Sequence, residues 1–318
     1  MTILSLTMET AAAAQLKHAP SGTQWTIRSG GQEAVIVEVG GGVRTFTADG
    51  RDVVSGYAEH EHAVGSAGHV LAPWPNRIRD GQYTFGGEHL QLPLTEPDRH
   101  NAIHGLVNWV RWTAVDATED SITVAHDLVP QAGYPWPLRL QTRWSVSEAG
   151  LRAEHEVTNT GGTPVPFGLA THPYVLVPGV PVDDLTLRVP ARSRVLVDAR
   201  LLPIGAAAVT GTEFDFVESR RLGATVLDTA FGEVDTNADG GSQVDIAAPD
   251  GRGVTVWADS AFTWWQVYSS DTLPPERLRK ALAIEPMTCP PDAFRSGRDV
   301  IVLEPGTTWR GTWGIRAH

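Results

Sequence analysis

Apolar and polar residues alternate along much of this chain. Leu138, Leu140, Thr142, Trp144 and Val146 fall on one side of an extended segment, with Arg139, Gln141, Arg143 and Ser145 on the other. Leu151, Ala153, His155 and Val157 alternate in the same way with Arg152, Glu154 and Glu156. A period of two sends successive side chains to opposite faces of a strand. Each segment thus covers a core on one side and meets water on the other, as antiparallel strands do. Val35 to Val39, Leu185 to Val189, Val254 to Trp257 and Val300 to Leu303 also predict strands, with Gly, Pro or Asp close to their ends. Helical periodicity is scarce, and short helices are expected only near Pro274 to Leu282 and in the loops. The pattern predicts an all-β fold, a large antiparallel β-sandwich with two sheets packed face to face.

Composition agrees. The 318 residues include 32 Gly and 22 Pro, about one residue in six against about one in eight in average usage, which favours many turns and short strands. No internal repeat, linker or charge block marks a boundary. One β-sandwich domain over residues 21–318 is therefore expected, preceded by a loosely ordered lead-in over residues 1–20. Ala11 to Ala14 could pass for part of a signal peptide, but a basic start is missing and Glu9, Gln15 and Lys17 interrupt the apolar stretch. No apolar run approaches a membrane span of roughly 18 residues, and a cytoplasmic location is expected. The formal net charge of −12 disfavours nucleic-acid and anionic-membrane partners. Cys289 is the single cysteine, which excludes an intrachain disulfide and any cysteine-based metal cluster.

Phosphate-loop, zinc-protease and serine-hydrolase motifs are missing from the sequence. What remains is histidine and carboxylate chemistry in three places: Pro73-Trp74-Pro75-Asn76-Arg77-Ile78 with Asn101-Ala102-Ile103-His104-Gly105, then Ala170-Thr171-His172-Pro173-Tyr174, then Ala283-Ile284-Glu285-Pro286. A carboxylate inside an apolar run must be paired, bonded or functional, because burying it bare is expensive. A histidine before a proline sits on extended backbone, suited to aim a side chain into a cleft from a strand end. The ordinary alternatives are a bonded core histidine and, for Asn76-Arg77, a turn with a surface cation.

The order of these segments resembles the aldose 1-epimerase (galactose mutarotase-like) family over nearly the whole chain, from about Gln24 to Arg316. The matching landmarks are Asn76-Arg77-Ile78 with Asp80-Gly81-Gln82-Tyr83, Asn101 to Gly105, Gly133-Tyr134-Pro135, Thr171-His172-Pro173-Tyr174, Leu227-Asp228, Gln266-Val267-Tyr268, and Ile284-Glu285-Pro286 with Pro291-Asp292-Ala293. The resemblance implies a galactose mutarotase-like β-sandwich holding a small-molecule sugar in an open cleft. It implies Glu285 as general base and His172 as general acid, with Asn76, Arg77, His104, Tyr174, Asp228 and Gln266 binding the sugar. The family often carries His after the Asp of its Leu-Asp segment, whereas Thr229 follows Asp228 here.

Interconverting pyranose anomers requires a base on the C1 hydroxyl and an acid on the ring oxygen, with roles reversed on re-closure. A carboxylate and a histidine suit this exchange, and neither metal nor other cofactor is needed. A sugar also presents an apolar face, and one or two of Trp74, Trp109, Trp136, Trp264 and Trp265 are expected at the cleft. Competing readings are a carbohydrate-binding protein without turnover, which would not need both His172 and Glu285, and a metal enzyme using His60, His62 and His69, or His104 and His172. A hexose-6-phosphate epimerase would need a basic cluster of which only Arg77 is evident. Asn101 to Val107 and Trp74-Pro75-Asn76 are similar to the branch that includes sulfoquinovose mutarotases, which keeps an acidic sugar open.

Overall fold

The alternating segments do form strands. Leu138–Ser147 and Gly150–Asn159 pair antiparallel, with Leu140 opposite Val157 and Trp144 opposite Ala153. Leu138, Leu140, Thr142, Trp144 and Val146 are buried, and the residues between them are partly or fully exposed. The computed structural model describes residues 19–318, so the expected lead-in lies almost wholly outside the described residues.

Two large antiparallel sheets dominate, one of twelve strands and one of nine. The smaller sheet carries the hairpin just described, flanked by Ser121–Leu128 and Thr308–Ala317. The larger sheet has Tyr174–Val175, Leu282–Met287, Trp264–Tyr268 and Asp228–Val234 side by side near its middle. Their inner faces meet in one core that joins Phe46, Val267, Leu282 and Ile284 of the larger sheet to Leu140, Trp144, Val256 and Ile315 of the smaller. Each such side chain contributes roughly 1.5–3 kcal/mol on burial. Two indole N–H groups bridge the layers, Trp144 to the Gly41 carbonyl at 2.9 Å and Trp265 to Ser242 Oγ at 3.0 Å. Buried donors need such partners.

Helix is confined to Ala293–Ser296 and three short 3₁₀ turns among the described residues. The helix expected near Pro274 to Leu282 does not form. That stretch makes consecutive turns, with Arg279 in the left-handed region (φ 49°), and Leu282 already begins a strand. Pro274 and Pro275 suit a turn or a first helical residue, but too few residues follow before the chain is committed to the sheet. No helix among the described residues is long and apolar enough to cross a membrane.

Candidate active site

Sheet register brings the distant landmarks together. Ala170 pairs with Met287 and Tyr174 with Ala283, so His172 lies directly across from Glu285. Between them the ladder is interrupted at Pro173, which has no N–H to donate, and the Pro173 carbonyl accepts the Ile284 N–H at 3.2 Å. On the other side of Glu285 lies Gln266, its registered partner, and Ala230 pairs in turn with Gln266. Asp228, two residues from Ala230, shares that face by the period of two. The result is a row of polar side chains across the outer face of four strands. Leu282 and Ile284 alternate with Ala283 and Glu285 and point into the core instead. The run around Glu285 is apolar because that strand is covered on both faces.

The other wall is a short ribbon. Arg77–Arg79 pairs antiparallel with Asn101–Ile103, so two separate sequence landmarks form a single structural unit. Asn76 and His104 flank it in the left-handed region at φ 52° and 64°, and the His104 N–H donates to the Asn76 carbonyl at 2.9 Å. Asn and His tolerate that conformation better than most residues. Gly105 follows at φ 79°, where a Cβ would lie 2.0 Å from the Ala72 carbonyl oxygen, so only glycine lets the ribbon approach the sheet this closely. Asp292 buttresses the ribbon by accepting the Arg79 N–H at 2.9 Å.

These walls enclose a cleft of about 280 Å³, within the size a monosaccharide needs. His172, Glu285, Gln266, Asp228, Tyr174, Asn76, Arg77 and His104 all line it. A larger open groove of about 510 Å³ runs along the hairpin of strands Gln82–Phe85 and Glu88–Gln91, but no buried carboxylate or imidazole faces it.

At the floor, His172 Nε2 stands 3.3 Å from Glu285 Oε1, both side chains almost fully buried. Burial drives the Glu285 carboxyl well above its ordinary range, the Asp228 charge adds to the rise, and Arg77 opposes it. Burial lowers His172 to about 4. Both shifts favour an uncharged acid beside a neutral imidazole. Desolvation also lowers His104 and raises Asp228, the latter against the pull of Arg77 and Arg99. Gln266 Nε2 donates to Asp228 Oδ1 at 2.6 Å. Glu285 Oε2, His172 Nδ1, Gln266 Oε1 and His104 Nδ1 are shielded from water and have no partner in the protein. Each such atom costs about 1–3 kcal/mol if left alone. Four of them lining one cleft leave hydrogen-bonding capacity open to a polar ligand.

Residues that sequence reasoning did not find complete the walls. Glu96 accepts a bidentate bond from Arg77 (2.9 and 3.0 Å), and it also accepts from Arg99 at 3.0 Å and Asn101 at 2.9 Å. Burial works to raise Glu96, but these bonds and the Arg77 charge hold its carboxyl below the usual value. Tyr268 joins Tyr174 as a cleft aromatic. None of the five tryptophans considered for stacking lines the cleft. Trp74 packs on Phe294, Trp136 on Tyr134, and Trp265 lies in the core. Trp264 donates to Asp299, while Trp109 stands exposed against the His69 edge. Trp74, Trp136, Trp264 and Trp265 spend their area on packing. Thr229 takes the sheet face opposite to Asp228 by strand alternation, so the departure at that position leaves the cleft face unchanged. Gly133-Tyr134-Pro135 is structural, because Tyr134 is buried and its hydroxyl donates to the Pro166 carbonyl at 2.8 Å. His60 and His62 lie on an exposed turn rather than a strand, and no three His, Cys, Asp or Glu residues among the described residues are placed to share a metal ion.

Comparison with known proteins bears on this arrangement. A family model described as aldose 1-epimerase matches residues 23–316. The uncharacterized protein YihR of Escherichia coli strain K12 is 34% identical over 291 residues, covering 91% of this chain and 92% of that protein. Two solved structures share the fold. The GalM/aldose epimerase homologue from C. elegans has a TM-score of 0.81 at 21% identity, covering 92% of this chain and 98% of that one. Galactose 1-epimerase from Lactobacillus acidophilus NCFM has a TM-score of 0.77 at 21% identity, covering 92% and 94%.

Proposed function

This chain belongs to the aldose 1-epimerase family and is an isomerase of sugars, and on that premise we propose that it interconverts the α and β anomers of a free aldose, with Glu285 and His172 as the proton-transfer pair. The observation that carries this reading is the 3.3 Å contact between His172 Nε2 and Glu285 Oε1 at the floor of a cleft where Glu285 Oε2, Gln266 Oε1 and His104 Nδ1 lack partners. Ring opening takes the C1 hydroxyl proton onto the Glu285 carboxylate while the His172 imidazolium gives a proton to the ring oxygen. The C1–O5 bond breaks and C1 becomes an aldehyde carbonyl. Rotation about C1–C2 and the reverse transfers close the ring on the other face.

The pair carries one proton throughout, first as carboxylate and imidazolium, then as acid and imidazole. Burial favours the second arrangement. Each transfer typically contributes about 10²- to 10⁴-fold. Asn76, Arg77, His104, Tyr174, Asp228 and Gln266 bind the sugar in this reading.

A second reading, an aldose carrying an anionic group such as a sulfonate, is favoured by one observation. Arg77 and Arg99 share the single carboxylate of Glu96, which leaves one cleft wall with a net positive charge on a protein of net charge −12. NMR exchange spectroscopy on freshly dissolved neutral hexoses, sulfonated hexoses and uronic acids tests both readings. Acceleration of neutral sugars supports the first, and acceleration confined to the anionic ones supports the second. Failure to accelerate any aldose contradicts the assignment.

A further inference from the structure

A proton-transferring histidine is commonly held by a hydrogen bond from its second nitrogen to an orienting group. His172 has no such bond to another residue: its Nδ1 is buried and faces no partner beyond its own backbone. What touches the ring instead is aromatic. The Tyr174 ring lies over the imidazole with centroids 4.9 Å apart and planes 23° from parallel, and His104 meets it edge-on at 5.5 Å and 79°. Tyr174 is itself fixed. It is 4% exposed, its backbone pairs with Ala283, and its hydroxyl lies 3.5 Å from the Gly65 carbonyl. A Cβ on Gly65 would lie 2.7 Å from that hydroxyl, so the chain is held tight against it.

We propose that Tyr174 is a positioning residue: its ring, rather than its hydroxyl, sets the plane of His172 and aims Nε2 into the cleft, replacing the hydrogen-bonded orienter this site lacks. The proposal rests on His172 being the proton donor and gives Tyr174 a role in addition to sugar binding. Two consequences follow. Loss of the face lets the imidazole rotate about its side-chain bonds, and small misplacements of a reacting group are costly. An aromatic face also stabilises a cation above it, so the stack supports the imidazolium against desolvation. The other titratable or charged groups around His172 are Glu285 on the neighbouring strand, His104 and Arg77 on the ribbon, Asp228 across the sheet, and His69, whose carbonyl accepts the His172 N–H at 3.2 Å. None of them stacks on the imidazole.

The test compares Tyr174→Met, which fills similar volume without a ring, with Tyr174→Phe, which keeps the ring without the hydroxyl. Anomer exchange is followed across pH on the wild-type protein's best sugar. Tyr174→Met lowers kcat about 10- to 100-fold with KM within about threefold. The alkaline limb of kcat, where the Glu285–His172 pair loses its shared proton, moves down. Tyr174→Phe recovers most of the lost kcat. A Tyr174→Met effect on KM alone, or a Tyr174→Phe variant as slow as Tyr174→Met, overturns the proposal. A readout on the intact protein covers the case in which Tyr174→Met fails to fold. The His172 Cε1–H resonance, assigned through His172→Asn, lies upfield under the tyrosine ring current, and an ordinary imidazole position overturns the stack. Because that signal needs no substrate, an inactive wild-type protein counts against the mutarotase reading and leaves the stacking result to stand or fall alone.

Discussion

Two histidines of this protein are nearly equally shut off from water, His155 at 2% exposure and His172 at 6%, yet the fold treats them in opposite ways. His155 belongs to the hairpin of the smaller sheet. Trp313 Nε1–H donates to its Nε2 at 2.9 Å, so its Nδ1 carries the proton and donates to Thr142 Oγ1 at 2.8 Å. Both nitrogens are used, and burial lowers the ring to about 3. His172 in the larger sheet has one long contact to a carboxyl that is itself short of partners. At His155 the fold satisfies both nitrogens of a buried ring, whereas at His172 it leaves Nδ1 without a partner from another residue. Depressed basicity alone therefore does not separate the two sites. Between these two rings the hydrogen-bond partners differ, although His69, outside the cleft lining, also has two unpartnered buried ring nitrogens.

Substitution should split the two histidines cleanly. Glu285→Gln and His172→Asn each lower the anomer-exchange rate at least about 10²-fold while the melting temperature stays level or rises, since a strained polar group is removed. Full activity in either variant breaks the assigned role. His155→Ala does the reverse. It opens a cavity and strands the Thr142 hydroxyl and the Trp313 N–H, which costs about 2–4 kcal/mol in denaturant unfolding, with the activity of the folded fraction little changed. An unaffected unfolding midpoint would mean that the paired bonds contribute nothing.

Acid provides a finer test. A buried histidine whose folded pKa is about 3 binds fewer protons than the unfolded chain, whose value is about 6.5. Its contribution is complete above pH 6.5 and is lost as pH falls toward 3, by up to about 1.4 kcal/mol per unit for each such group. The difference between wild-type and His155→Ala stability should therefore shrink between pH 6.5 and 3. A difference that is constant with pH would contradict the depressed value.

Much of this was legible in the sequence, for reasons that differ by residue. Period-two alternation disclosed the strands around Trp144 and His155 because a hairpin covering a core on one side writes its faces directly into the chain. Glu285 stood out because a carboxylate in an apolar strand is expensive without a purpose. The same alternation marked His155 as core, so sequence alone could separate it from His172 only through the resemblance to a family. Glu96 and Arg99 were invisible. They sit at a loop turn with no periodicity, and their importance arises only when the ribbon pairing brings Arg77 beside them. The tryptophans misled because abundance near a landmark says nothing about direction, and a large ring is more stable buried than lining a wet cleft. The Pro274 segment misled because local turn propensity resembles a helix start until the sheet takes over at Leu282.

If Glu285 and His172 act as one proton-carrying unit, a double-mutant cycle on the exchange rate reveals it. Groups that act together lose their function with the first removal. The Glu285→Gln/His172→Asn double variant should therefore run within about threefold of the slower single variant. A double variant slower by the product of the two single losses would instead mean that the two side chains contribute independently and form no unit.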